Sequence, residues 1–142
     1  MKRPLPWLLL LCAWLPSCVL FQRPPRPVHA PPQEAASFAW PELLPSEGRQ
    51  VMPGPMLAAI QLAMEDFLPW DLKTPADAPA REQCLNRRDS YDAVAVPGGE
   101  GLMYVEIVLR PEACDMGGEV LLDAGGLYAI DTRSWRILSA RR

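Results

Sequence analysis

Apolar residues change their spacing along this chain, and each spacing predicts a different element. Leu57, Ile60, Met64 and Phe67 recur every three or four positions, which predicts a helix over residues 56–68 with those four on one stripe. Ala58, Ala59 and Ala63 favour helix intrinsically. Pro55 precedes the segment and Pro69 stops it. The stripe reads as core. From Ser90 onward the period becomes two. Residues 91–96 and 102–110 are strands around the turn residues Pro97, Gly98, Gly99, Glu100 and Gly101. In the second strand Met103, Val105, Ile107 and Leu109 face one way, and Tyr104, Glu106 and Arg110 the other. Residues 111–118 read as a loop carrying Cys114. Short strands follow at 119–123 and 127–131, around Ala124, Gly125 and Gly126. Asp131, Thr132, Arg133 and Ser134 form a turn before a last strand at 135–140. Between helix and strands, residues 69–89 are irregular, with a short helical turn at 80–85.

These elements predict an α+β domain. One helix packs its stripe on a four- or five-stranded antiparallel sheet, because a sheet with one apolar face must cover it. The domain occupies residues 56–142. Residues 18–55 form a tether holding Pro24, Pro25, Pro27, Pro31, Pro32, Pro41, Pro45, Pro53 and Pro55. Proline fixes φ and lacks an amide donor, so the tether is expected to be extended. Phe38, Ala39, Trp40, Leu43 and Leu44 make part of it more apolar than a pure linker and able to dock on the domain. Arg23, Pro24, Pro25, Arg26 and Pro27 would also suit a proline-reading partner domain.

Residues 1–17 have the order of an export signal. Lys2 and Arg3 precede an uncharged apolar run from Trp7 to Leu15, then the small Ser17. With Leu15, Ser17 and Cys18 in place, the segment resembles a bacterial lipoprotein signal, with Pro16 at the variable position. That resemblance implies lipidation of Cys18, cleavage that leaves Cys18 first, and stable membrane attachment through several acyl chains, palmitate among them. Val19, rather than aspartate, implies the outer membrane, facing the periplasm. Two other readings stay open. One is an uncleaved anchor over residues 5–21, interrupted by Pro6 and Pro16 and shorter than the ~20 apolar residues a span needs. The other is cleavage after Val28, His29 and Ala30.

The chain carries 14 basic and 17 acidic residues, for a net charge of −3. Loss of Lys2 and Arg3 with the leader takes the remainder to −5. This mixed, mildly acidic surface argues against a nucleic-acid partner, which needs clustered Lys and Arg. Arg141 and Arg142 are too short a cluster to change that. Of the four cysteines, Cys12 lies in the leader and Cys18 is the lipidation candidate. Cys84 and Cys114 remain, an even pair that reads most simply as a disulfide in an exported domain, with two free buried thiols as the alternative. No zinc site is expected, for want of a Cys-x-x-Cys pair or a nearby histidine.

His29, the single histidine, lies in the tether, so Ser-His and Cys-His nucleophile arrangements are not expected. Glu65 and Asp66 are helix neighbours that do not face each other and read as solvated surface. Asp123 and Asp131 sit at strand ends, where aspartate forms turns. Gly98 with Gly99, Gly117 with Gly118, and Gly125 with Gly126 read as hairpin glycines rather than phosphate loops. No cofactor, metal ligand or catalytic residue is assigned.

The helix, then Gly117, Gly118, Glu119 and Val120, then Leu127 to Asp131 and Trp135 to Leu138, resemble small cystatin-like or NTF2-like domains, including immunity-protein and PepSY-like families. The resemblance implies a fold rather than a function. Gln50, Val51, Met52, Pro53 and Gly54 lack the Gln-x-Val-x-Gly spacing of cystatin inhibitors, so protease inhibition is not implied. The expectation is a lipid-anchored, non-enzymatic interaction domain of the cell envelope, with an envelope protein or a toxin as partner. A structural envelope-maintenance lipoprotein and a carboxylate-based enzyme are the alternatives.

Overall fold

A computed structural model of the chain describes residues 24, 26–43, 45–114 and 124–142. The leader with Cys12 and Cys18, the strand expected at 119–123, Gly117, Gly118 and Asp123 lie outside the described residues.

The tether is not extended throughout. Pro32–Ser37 forms a short helix, α1. Gln33, Glu34, Ala35 and Ala36 are good helix formers, and Pro32 occupies the first turn, where no amide donor is needed. The Ser37 hydroxyl donates back to the Glu34 carbonyl at 2.8 Å and helps end the helix. No residue of α1 is buried.

Helix α2, Gly54–Phe67, begins after Pro53 and ends at Leu68, just before Pro69. Ile60, Met64 and Phe67 of the expected stripe pack on the core, but its centre lies at Ala59 and Ala63 and Leu57 falls outside it. Ala59 and Ala63 are 0 % exposed and form the centre of the buried stripe, flanked by Met56, Ile60 and Phe67. Leu57, expected in the stripe, is 53 % exposed. It lies two residues from Ala59, on the far side of a helix that turns ~100° per residue. The small residues face the sheet because the helix sits close upon it, and the sheet supplies the bulk.

That sheet is a four-stranded antiparallel meander in the order β1 (Tyr91–Pro97), β2 (Leu102–Leu109), β3 (Gly125–Asp131) and β4 (Arg136–Arg141). Met103, Val105, Ile107, Tyr128 and Ile130 are buried under α2. The alternation expected for β2 therefore holds, with Tyr104, Glu106 and Val108 on the exposed side. β3 starts two residues earlier than expected. Gly125 and Gly126 pair with Val108 and Ile107 instead of forming a turn. A Cβ on Gly125 would lie 2.3 Å from the Ile107 carbonyl oxygen, and one on Gly126 would lie 2.9 Å from the Tyr128 ring. Glycine is needed there for close approach. β4 begins one residue late, because Trp135 takes a positive φ of 51° in the preceding turn.

The connection between α2 and the sheet is pinned at several points. Helix α3, Ala80–Leu85, carries Cys84, which is disulfide-bonded to Cys114 across a Cα separation of 5.8 Å. Closing a loop of this length stabilises by ~3–4 kcal/mol in the chain-entropy account. The Ser90 hydroxyl, within a 3-10 turn at Arg88–Ser90, donates to the Cys84 carbonyl at 2.7 Å. Arg88 donates from Nε and Nη2 to the Leu68 carbonyl at 3.0 and 2.7 Å. A cation thus meets the helix C-terminus, where the partial negative charge collects. The Tyr91 ring stacks edge-on against Phe67 at 5.1 Å.

Candidate functional site

Pairing register sorts the strand residues onto two faces, apart from Leu138 at an irregularity in β4. The covered face holds the core. On the other face Val96, Tyr104, Ala129 and Ser139 form one row, and Val94, Glu106, Leu127 and Arg141 the next. Asp92, Val108 and Gly125 form a third row. Leu102, Asp131 and Arg136 close the end nearest the hairpin turns. No described helix packs on this face, because α2 lies on the other. Val94, Val96, Tyr104, Val108 and Leu127 consequently remain exposed, with Val94 at 49 %. Isolated apolar surface residues need no explanation, but contiguous apolar patches mark interaction sites.

The patch has a hollow near one end. Over Gly125, where no side chain projects, a depression of about 310 Å³ is bounded by Glu106, Val108, Leu127 and Arg141. Its volume is at the lower end of small-ligand pockets, about 300–1,000 Å³. Charge on the face is divided. Asp92 and Glu106 lie on β1 and β2, whereas Arg136 and Arg141 lie on the edge strand β4. The hollow therefore has an acid on one wall and a base on the other.

The carboxylates singled out in the sequence have structural partners. Asp131 accepts from Ser134 Oγ at 2.7 Å and from the Arg133 amide at 3.0 Å. The Ser134 bond first, then the Arg133 amide, hold its carboxyl below the usual carboxylate range. These are the bonds of a turn-forming aspartate. Glu65 accepts from Gln61 Nε2 at 3.0 Å on the helix surface. Asp66 is not merely solvated, as expected above. It pairs with Arg142, whose Nη2 also donates to the Asp66 carbonyl at 2.9 Å and whose Nε donates to Tyr128 Oη at 3.2 Å. The last residue of the chain is thereby tied to the end of α2 and to the core tyrosine. The 76 residues separating Arg142 from Asp66 explain why no local spacing signals this contact. Burial pushes the Tyr128 phenol up, against the opposing Arg142 hydrogen bond.

Among the described residues, no group of three or more His, Cys, Asp or Glu side chains is placed to hold a metal ion. No described helix is long and apolar enough to cross a membrane. Cys84 and Cys114 are brought together, as the simplest reading expected. Phe38, Trp40 and Leu43 are not brought to the domain. All three are exposed, Trp40 at 79 %, and the Phe38 and Trp40 rings meet each other edge-on at 5.2 Å. No protein-family model, curated protein or solved structure matches the chain. The functional argument therefore rests on the surface itself.

Proposed function

We propose that this chain is a lipid-anchored lipoprotein of the bacterial cell envelope, held through Cys18, whose domain binds a protein partner through the open face of its sheet without catalysing a reaction. The observation that carries the binding role is the exposed apolar surface of Val94, Val96, Tyr104, Val108 and Leu127 around Glu106, not covered by the described helices, of which the one long helix is committed to the other face. The anchor rests on Leu15, Ser17 and Cys18 behind a basic and apolar leader, and on the proline-rich spacer after them. A disulfide in a small domain suits an oxidising, exported setting. Val19 after the lipidated cysteine favours the outer membrane, facing the periplasm. One long helix followed by a meander agrees with the cystatin-like or NTF2-like resemblance, and its immunity-protein members suggest a toxin as one class of partner.

Two measurements test this reading. Intact mass spectrometry of the membrane fraction is expected to give a chain beginning at Cys18 and carrying acyl chains. An unprocessed Met1 would refute the anchor. Partner recovery from detergent-solubilised envelopes is expected to fall at least ~10-fold for Tyr104→Glu with Leu127→Glu, since charges in a desolvated interface lose several kcal/mol. Unchanged recovery with the fold intact would refute the binding face.

A further inference from the structure

Two of the apolar surfaces exposed among the described residues suit each other. One is the open sheet face. The other is the tether segment around Phe38, Trp40 and Leu43, whose two rings already pack together. Their charges are opposed as well. Residues 31–48 contain Glu34, Glu42 and Glu47 and no Lys or Arg. Residues 132–142 contain Arg133, Arg136, Arg141 and Arg142 and no acid. Arg142 is engaged by Asp66 and Arg133 lies beside Asp131, whereas Arg136 and Arg141 stand exposed on the open face of β4.

Chain length and direction fit the same pairing. Phe67 lies at the sheet end that holds Tyr91 and Gly126, so α2 begins at the opposite end, beside the hairpin turns. Residues 45–53 can span ~30 Å when extended. A sheet with a helix layer is ~10 Å thick between centres, so that linker reaches round the sheet end to the open face. Leu43 would arrive first, near Leu102 and Tyr104. Trp40, three residues earlier in the chain, lies ~10 Å further along, at the hollow over Gly125.

We propose that the Phe38–Leu43 stretch of the tether folds back as a strap on the open face of its own sheet, with Trp40 in the hollow between Glu106 and Arg141 and Glu42 toward the β4 arginines. The structure described above is then the open arrangement, and the strap is what a partner must displace. This rests on the open face being the partner's surface, as proposed above. A second copy is the poorer occupant. Four strands of about seven residues present ~450 Å² per copy, well under the ~800 Å² that stable dimers bury on each side. A tethered segment needs less area, because its effective concentration is set by a short linker.

The test places a photoreactive group on the strap, as Trp40→p-benzoylphenylalanine, in the chain from residue 19 onward. The core lies wholly after residue 55, so removing the leader leaves it untouched. Illumination is expected to give cross-links within one chain to peptides holding Tyr104 or Leu127, at a yield independent of protein concentration. Arg141→Glu should lower that yield several-fold, and adding Glu42→Arg should restore it. Cross-links only between chains, or none outside the tether, would overturn the strap. A parallel arm compares partner recovery by the same chain with and without Phe38→Ser and Trp40→Ser. The strap predicts higher recovery without the rings. Equal recovery by both chains with no cross-link to the face refutes the strap and leaves the binding face standing. Cross-links to the face with no partner recovered by either chain support the strap and count against the binding role alone.

Discussion

The two faces of this sheet share apolar residues of similar kind, but only the open one carries charges and only the other lies under a helix. Val105 and Val94 are diagonal neighbours on β2 and β1, and Tyr128 and Leu127 are consecutive in β3. In each pair the first is buried under α2 and the second is open. Side-chain hydrophobicity separates the faces only in part, since Asp92, Glu106, Arg136 and Arg141 share the open one with five large apolar residues, and size does no better. In β1 the small Ala93 and Ala95 lie on the helix side while the larger Val94 and Val96 point outward. The core between helix and sheet includes the small Ala59 and Ala63 of α2, with Ala95 of β1 packed against it. An apolar side chain on the open face is thus surplus to the core. That surplus makes it a candidate for binding.

The largest expected difference between the faces comes from truncating one tyrosine on each. Tyr128 is wholly buried at the centre of β3 and also accepts a hydrogen bond from Arg142. We predict that Tyr128→Ala lowers stability by ~3–5 kcal/mol, the range for losing a core aromatic. Tyr104→Ala on the open face is expected to cost about 1 kcal/mol or less, as surface changes do. Urea unfolding with an unchanged slope measures both. Similar losses for the two would show that the open face is covered in the isolated chain as firmly as the core, more firmly than a displaceable strap would cover it.

Enlarging a residue on each face gives a smaller contrast. Ala63→Leu adds bulk where α2 lies against the sheet, and overpacking a filled core costs roughly 1–3 kcal/mol. Val94→Leu adds the same kind of bulk to open surface and is expected to fall within ~0.5 kcal/mol of the parent. Thermal unfolding at one pH checks the pair. A stabilised Ala63→Leu would mean that the contact between helix and sheet holds unfilled space.

Legibility from sequence follows the same division. The strands of the meander and the alternation in β2 were readable, because period two needs only one strand at a time. The helix was readable in period and in three of its four stripe residues, Ile60, Met64 and Phe67, but not in Leu57 or in the alanines at the centre of the stripe. Leu57 is the larger and more apolar candidate, and only the closeness of the sheet selects Ala59 and Ala63 instead. Gly125 and Gly126 read as a turn because paired glycines usually mark one. The true reason at Gly125 is the Ile107 carbonyl, which is distant in sequence, and at Gly126 it is the Tyr128 ring. The open face was the least legible part. β2 alone showed Tyr104 and Glu106, a normal polar side, and only the register with β1 and β3 adds Val94, Val96 and Leu127 to it. The disulfide was accessible by counting cysteines. The clamp of Arg142 on Asp66 was not, since nothing local marks it.

The smallest expected effect separates the faces by pH. On the open side Asp131 is held below its ordinary range by Ser134 first, then by the Arg133 amide. Its unfolded value is ~3.9. At low pH the unfolded state binds the proton more readily, so this contribution is present above ~3.9 and is lost as pH falls through the lower folded value. On the covered side burial raises Tyr128 and Tyr91. There the unfolded state loses its protons first, so stability is intact below the ordinary phenol value of ~10 and declines as pH rises past it. Ser134→Ala removes the leading cause at Asp131. We predict that it lowers the melting temperature slightly near neutral pH, and that the gap to the parent closes toward about pH 2 as the carboxylate protonates in both states. Asp89, lowered by its hydrogen bond from Arg87, contributes equally to both chains and cancels in the difference. The alkaline limb should be unaffected, because it belongs to the other face. A gap that persists unchanged at the acid end would remove Asp131 as the group Ser134 acts through.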